Sequence, residues 1–482
     1  MGKLRFFCAL LIAKLSIIAL KITRHNGTNF PGIVAIKICP NFLEYIELPD
    51  KIIGITGTNG KTTCSNLLND ALTFLGEKVL NNSAGSNTIT GITTSLINSV
   101  SLAGKQSYDT AVFEIDELSS RRIFPFIHID YLVVTNLSRD SIMRNGHPEY
   151  MRSILEANID KSTRLILNAD DLISSLMCPD NSKVYFGIES LDSDKNCCTN
   201  LIDDCPICPV CSSKLMYTKN RYSNIGRAYC PNCNFKSFTA DYLATDVNID
   251  SMTMNVFLEG ENCRFNLFNN GIFNIYNELT LIATLSELNY KVDEIKEAVG
   301  SVHITKERLN EFEAGGIKLS SVLCKDRNAY ASSRVFEYIE AQPGDKELLL
   351  FNNNFQDDAT WSENMCWLYD ADFELLADDR IKTIVTTGSR GLDFKLRLLS
   401  AGVKEEKIKY LNEKYFKFLE SIVIKGQMGE NEKSDLIKLR EKINLALVEN
   451  DCIFVRITGG LLLKLEGSYS ILDFMCEFRK NS

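Results

Sequence analysis

Gly57-Thr58-Asn59-Gly60-Lys61-Thr62-Thr63 has the residue types and spacing to bind a chain of phosphates. A glycine-containing turn that opens a helix aims backbone N–H groups at phosphate oxygens. Lys61 would then reach the β- and γ-phosphates, and the Thr62 hydroxyl would ligate Mg²⁺. The strict phosphate-loop pattern asks for glycine at position 55, where this chain has Ile55, so the motif is a variant. A chance glycine turn capping a helix is the competing reading, and the placement of the Gly-Lys-Thr triplet weighs against it.

A second group could hold a metal. Cys208-x-x-Cys211 and Cys230-x-x-Cys233 are separated by 18 residues, within the range of a four-cysteine zinc ribbon. Each C-x-x-C turn lets two thiolates face one ion, and two such turns complete a tetrahedron. With no coordination position left open, the zinc would be structural. Cys205, three residues before Cys208, is a substitute ligand by spacing, whereas Cys197 and Cys198 lack matching spacing. A nucleic-acid-binding ribbon is the rival use, given Lys214, Lys219, Arg221, Arg227 and three nearby tyrosines. The remaining cysteines among the 16 read as free thiols of a reducing compartment.

These residues need elements to position them. Lys51–Thr56 reads as a buried strand, and Leu67, Leu68, Ala71, Leu72 and Leu75 after the glycine turn recur at helical spacing. Further short β-rich runs at Thr110–Ile115, Tyr131–Thr135 and Leu165–Leu167 are separated by segments long enough for crossover helices. That alternation predicts an α/β fold with a mostly parallel sheet and helices on both faces. Between about Cys197 and Ala240 the pattern breaks into an insertion. Gly271–Tyr290 then reads as a helix, and a second α/β pattern begins near Ser301, with strands near Leu348–Asn352 and Ile381–Thr386. Glu430–Lys442 is a solvated helix by its charges.

Length and charge limit the alternatives. The chain has 482 residues and a formal charge of −9, with 45% hydrophobic residues, enough for two or three domains with substantial cores. An acidic balance gives no general attraction to nucleic acid. Phe6–Leu20 is apolar but short and interrupted by Lys14, whereas a bilayer span needs about 20 residues. It reads as a helix packed on the protein's own body. The alternatives are a helix lying on a membrane surface and an export signal, for which no cleavage site follows before His25.

A strand followed by GTNGKTT resembles the ATP loop of the Mur ligase family, whose members join amino acids or amines to carboxylates through acyl phosphates. Glu114, in FEIDE, falls where that family keeps a magnesium-binding glutamate at a strand end; its plain alternative is a solvated loop acid. Asn274 and Asn277, in GIFNIYN, match the G-x-x-N-x-x-N helix start that holds ATP in this family, a position where amides also serve as caps. Asn168-Ala169-Asp170-Asp171 looks like a family turn. The inserted ribbon narrows the likeness to the MurT-type branch, the ligase-like subunits of lipid II isoglutaminyl synthases. KITRHNGTNFPGIVAIKICPNFLEYI (residues 21–46) is similar to that branch's start, and WLYDADFE (367–374) and GSRGLDFKLRLLSAGV (388–403) are similar to its C-terminal domain. The likeness runs almost end to end. It departs from the family at Ser141–His147 and Lys306–Glu313.

The resemblance implies an N-terminal helical segment over 1–48, a Mur-ligase-like ATP-binding domain over 49–300 with the ribbon inserted at about 205–236, and a C-terminal α/β domain of the MurT type over 301–482. It also implies ATP, Mg²⁺ and structural Zn²⁺ as cofactors. The partner would be a GatD-like glutamine amidotransferase that forms a heterodimer with this chain and releases ammonia. ATP would activate the α-carboxylate of D-isoglutamate in the lipid II stem peptide, and ammonia would displace phosphate to leave D-isoglutamine. Such a protein would be cytoplasmic and work at the inner face of the membrane, without nucleic acid. In this branch a C-terminal aspartate completes the amidotransferase's Cys-His pair. Asp357 is the best match, Asp358 its rival, and a solvated loop acid the plain alternative. Two other readings are an amino-acid ligase of the Mur or folylpolyglutamate type and a nucleotide-binding scaffold without catalysis. The four histidines (His25, His128, His147 and His303) read as structural.

Overall fold

The computed structural model describes residues 2–23, 27–83, 86–139, 147–269, 271–303, 309–314, 317–324, 328–352, 364–387, 390–410 and 452–458. The chain divides into two compact units, the first comprising residues 1–138, 147–199 and 203–304, the second 139–146, 200–202 and 305–482.

The first unit is built on a nine-stranded sheet of order β11-β10-β9-β6-β5-β4-β1-β3-β2. Its strands are β1 (Lys51–Thr56), β2 (Val79–Asn81), β3 (Thr110–Glu114), β4 (Tyr131–Val134), β5 (Arg164–Asn168) and β6 (Lys183–Ile188), with β9 (Tyr242–Asn248), β10 (Thr253–Leu258) and β11 (Glu261–Asn266) at one edge. From β2 to β9 all pairings are parallel. The continuous apolar run of β1 fits a strand covered on both faces. Ile52, Ala111, Phe113, Leu132, Leu165 and Leu167 join one core with the helices α1 (Gly2–Ile22), α2 (Phe30–Ile38) and α4 (Ile89–Ser99). Alternation leaves the buried Ile53, Ile55, Val112, Val133 and Ile166 for the opposite face,. There α3 (Lys61–Phe74) packs on β1 and β3, and α6 (Ile272–Glu287) on β5, β6 and β9. The expected α/β sheet with helices on both sides is what forms.

The edge differs from an all-parallel reading. β10 runs antiparallel to β9 and β11. Side chains there alternate buried and exposed, the signature of a hairpin with one wet face. Glu259 and Gly260, both at positive φ, make its two-residue turn.

Lys14 does not break the N-terminal helix. Its ammonium donates to Ile97 O at 2.8 Å and Val100 O at 2.6 Å, meeting the exposed carbonyls at the end of α4. Partial burial lowers its pKa.

The second unit holds a six-stranded sheet of order β12-β13-β17-β14-β15-β16: β12 (Leu309–Ala314), β13 (Ile317–Cys324), β14 (Lys346–Asn352), β15 (Ile381–Thr387), β16 (Ile408–Tyr410) and β17 (Cys452–Thr458). Only the β12–β13 pair is antiparallel. Leu348, Ile384, Phe336, Trp367, Phe373 and Phe394 form its core.

Candidate functional site

Gly57–Gly60 turns from β1 into α3. Gly57 has φ +125°, and a Cβ there would lie 2.3 Å from Thr135 Oγ1; Gly60 has φ +88°, and a Cβ would lie 2.5 Å from Asn277 Oδ1. Both conditions, left-handed backbone and no room, require glycine. Gly60→Ala is expected to weaken nucleotide binding at least tenfold and lower the melting temperature, measurable by calorimetry with a non-hydrolysable ATP analogue.

The loop is held from beneath by the segment after β4. Thr58 N donates to Asn136 O at 2.7 Å, and Asn59 N to Asn136 Oδ1 at 3.2 Å. Asn136 Nδ2 and Thr135 Oγ1 both donate to Asn59 O, at 3.0 and 2.6 Å. The Thr58 hydroxyl donates to Ser138 O and accepts from Ser138 N, each at 3.0 Å. The first N–H bonded within α3 is that of Cys64, to Gly60 O. The turn before it presents its N–H groups at the helix entrance, where an anion binds.

Lys61 opens α3 with its side chain buried. Its Nζ donates to Glu117 Oε1 at 2.8 Å and to the Gly57 carbonyl. Glu117 is 1% exposed, so the loop's one lysine is held in place by a full buried charge. Thr62 is exposed and Thr63 half-buried, which leaves the Thr62 hydroxyl open to a ligand. Glu114 ends β3, in register with Ile55; its Oε1 accepts from Asn87 Nδ2 at 2.9 Å.

Asn274 and Asn277 lie in the first two turns of α6, and the structure brings Asn277 against the loop. Asn277 Oδ1 accepts from the Cys64 thiol at 3.2 Å, and its Nδ2 donates to Asn274 Oδ1 at 3.1 Å. Burial pushes the Cys64 thiol up to about 12, so it acts as a neutral donor and not as a nucleophile.

Cys208, Cys211, Cys230 and Cys233 converge as the spacing predicts, their Sγ atoms all within 4.8 Å of one another. The N–H groups of Val210 and Asn232 donate to Cys208 and Cys230 Sγ, each at 3.4 Å, an arrangement that stabilises thiolates facing a cation. Donor set and geometry fit a tetrahedral zinc ion. Cys205 lies outside this group, in the apolar cluster beside it, and burial raises its pKa. Between the two cysteine turns runs a hairpin, β7 (Met216–Tyr222) and β8 (Ile225–Tyr229).

That hairpin is pinned to the Asn168–Asp171 turn. Arg221 Nη1 and Arg227 Nε lie 3.0 and 3.1 Å from the carboxylate of the fully buried Asp170, and Tyr276 Oη donates to it at 2.9 Å. At the hairpin tip the buried Asn224 Nδ2 donates to Asp171 Oδ1 at 2.7 Å and to Leu137 O at 3.1 Å, while Leu137 N donates to Asp171 Oδ2 at 2.7 Å. Burial raises the Asp171 pKa against the pull of its hydrogen bonds from Ser174, Ile173 and Leu137.

Sequence reading passed over Glu117 and Asn224. FEIDE offers three acids, and only the folded geometry shows which one meets Lys61. Asn224 carries no motif. Asp357 and Asp358 lie outside the described residues.

Residues 55–199 match the Mur ligase middle domain family, and residues 326–436 the MurT ligase C-terminal family. A curated relative from Staphylococcus aureus, named lipid II isoglutaminyl synthase (glutamine-hydrolyzing) subunit MurT, is 31% identical over 405 residues, covering 83% of this chain and 89% of that protein. The protein of the same name from Streptococcus pneumoniae is 30% identical over 387 residues, covering 80% and 84%. Among solved structures, a pseudomurein peptide ligase type C from Methanothermus fervidus superposes with a TM-score of 0.62 at 20% identity, over 89% of this chain and 80% of that one. Among the described residues no helix is long and apolar enough to cross a membrane.

Proposed function

This chain belongs to the MurT family of Mur-ligase-like proteins, and from that premise we propose that it is a carbon–nitrogen ligase subunit that amidates the α-carboxylate of D-isoglutamate in the lipid II stem peptide, drawing ammonia from a GatD-like glutamine amidotransferase. The observation that carries the reading is the glycine loop with buried Lys61, closed on one side by Asn277, within a chain similar along most of its length to MurT proteins.

A carboxylate resists attack because its charge repels nucleophiles, and transfer of a phosphoryl group to it supplies a leaving group. The carboxylate oxygen attacks the γ-phosphorus, ADP departs, and ammonia adds to the acyl carbon of the resulting acyl phosphate. Phosphate then leaves, and the nitrogen now bonded to the acyl carbon loses one proton to yield the amide. Residues 57–63 would hold the phosphates, with the backbone N–H groups at the entrance of α3 directed at them, and Lys61 would bear on the charge that develops during transfer. Asn274 and Asn277 would hold the nucleotide. Thr62 and Glu114 would hold magnesium, which would supply charge neutralisation at the phosphates. Cys208, Cys211, Cys230 and Cys233 would hold a structural zinc. Asp357 would orient the partner's histidine.

The test is co-expression with its amidotransferase and assay on lipid II with ATP and glutamine. Amidated lipid II is the expected product; ATP consumption without it would favour an amino-acid ligase of the Mur or folylpolyglutamate type. In the same assay Asp357→Asn is expected to cut glutamine-driven turnover by about 10²-fold or more while sparing turnover with added ammonia. Equal losses would remove its triad role.

A further inference from the structure

The N-terminal helix α1 carries apolar residues on two faces, and only one of them is covered. Phe6, Ala9, Leu10 and Ala13 are buried in the core of the first unit. Leu4, Phe7, Leu11, Leu15, Ile18 and Ile22 are 44–77% exposed. Their spacing of three and four residues lines them up along one face. Isolated exposed leucines are ordinary, but an unbroken apolar stripe along a 21-residue helix marks a surface that something covers.

Charge says what covers it. The chain is acidic overall, at −9, yet its first 43 residues carry six lysines and arginines and no aspartate or glutamate. At 3.6 residues per turn, Lys3 and Lys21 border the stripe on one side and Arg5 on the other, and all three are exposed. Lys14, the basic residue within the apolar run, is turned away to the end of α4. Apolar side chains edged by cations, with no acid among them, match the boundary between acyl chains and anionic headgroups.

We propose that α1 docks the protein on an anionic phospholipid bilayer, its outer stripe entering the headgroup boundary with the helix axis along the surface. Lys3, Arg5 and Lys21 meet the phosphates. This assignment stands on the helix and its charges and does not depend on the reaction proposed above.

Sedimentation of the full chain with vesicles tests it without any turnover. The protein should bind phosphatidylglycerol–phosphatidylethanolamine vesicles and bind phosphatidylcholine vesicles about tenfold more weakly or worse, with binding falling as salt rises. The double variant Leu11→Glu/Leu15→Glu, on exposed positions that leave the core intact, should lose binding at least tenfold, whereas Leu102→Glu on an exposed loop should bind like the wild type. Equal binding to both vesicle types would overturn the proposal. So would a wild-type protein that ignores vesicles, including one that self-associates through Leu11 and Leu15, which would assign the stripe to a second copy of the chain.

Discussion

Lys61→Ala is expected to lower the rate of ATP-driven amidation by about 10²–10³-fold or more while leaving association with the amidotransferase intact. Phosphoryl transfer spreads negative charge over the oxygens of the moving group, and a fixed cation in a dry loop acts on that charge far more strongly than one in water. The Lys61 ammonium lies 2.8 Å from Glu117 and also contacts the Gly57 carbonyl, so its position is set before nucleotide arrives. The same geometry predicts a second effect. Removing one member of a buried ion pair costs about 3–5 kcal/mol, because the other charge is left without a partner. Lys61→Ala should therefore also melt earlier than the wild type. Lys61→Ala/Glu117→Gln removes the stranded charge and should recover most of the melting temperature with no recovery of turnover. That divergence, read by thermal unfolding beside phosphate release, separates the chemical role of the lysine from its structural one. Normal turnover in a folded Lys61→Ala protein would remove the phosphate-loop assignment.

Much of the fold was legible because the signals were local. KIIGIT, TAVFE and YLVV are short apolar runs bounded by turns, and the recurrence at Leu67, Leu68, Ala71 and Leu72 has helical spacing, so strand–loop–helix order follows from periodicity alone. The cysteine cluster was legible for the same reason: two C-x-x-C turns state their geometry within four residues each. Strands β9 to β11 escaped notice because Asp246 falls in phase with the buried Ala244 of β9, the outward Phe257 blurs the alternation of β10, and their turn is Glu-Gly, a weaker signal than Asn-Gly. The partners of the loop are a different matter. Glu117, Asn136 and Asn224 lie 56, 77 and 87 residues from Lys61, Asn59 and Leu137, their bonded partners, and no periodicity encodes a contact at that range. Such pairings become visible only when the sheet brings the ends of β1, β3 and β4 side by side.

The ribbon is tied to the nucleotide loop by one such contact, and breaking the ribbon should reach the loop. Asn224 at the hairpin tip donates to Leu137 O and Asp171 Oδ1. Leu137 N is held by the same Asp171, and the next residue, Ser138, exchanges two bonds with Thr58 of the loop. Structural zinc supplies on the order of 10 kcal/mol to the segments it orders. Cys208→Ser is therefore expected to lose the metal and render the Met216–Tyr229 hairpin sensitive to protease, and nucleotide affinity should fall with it. Asn224→Leu isolates the last step. It keeps all four cysteines but removes a donor to a buried carboxylate, a bond worth about 1.5–3 kcal/mol, so nucleotide affinity should fall by up to about 10²-fold with zinc content unchanged. Zinc by elemental analysis and ATP-analogue affinity by calorimetry read the two quantities independently. If Cys208→Ser sheds its zinc and still binds nucleotide like the wild type, the hairpin is an appendage of the ATP-binding unit. If Asn224→Leu holds its zinc and loses nucleotide, the ribbon serves as the strut that sets the floor beneath Thr58.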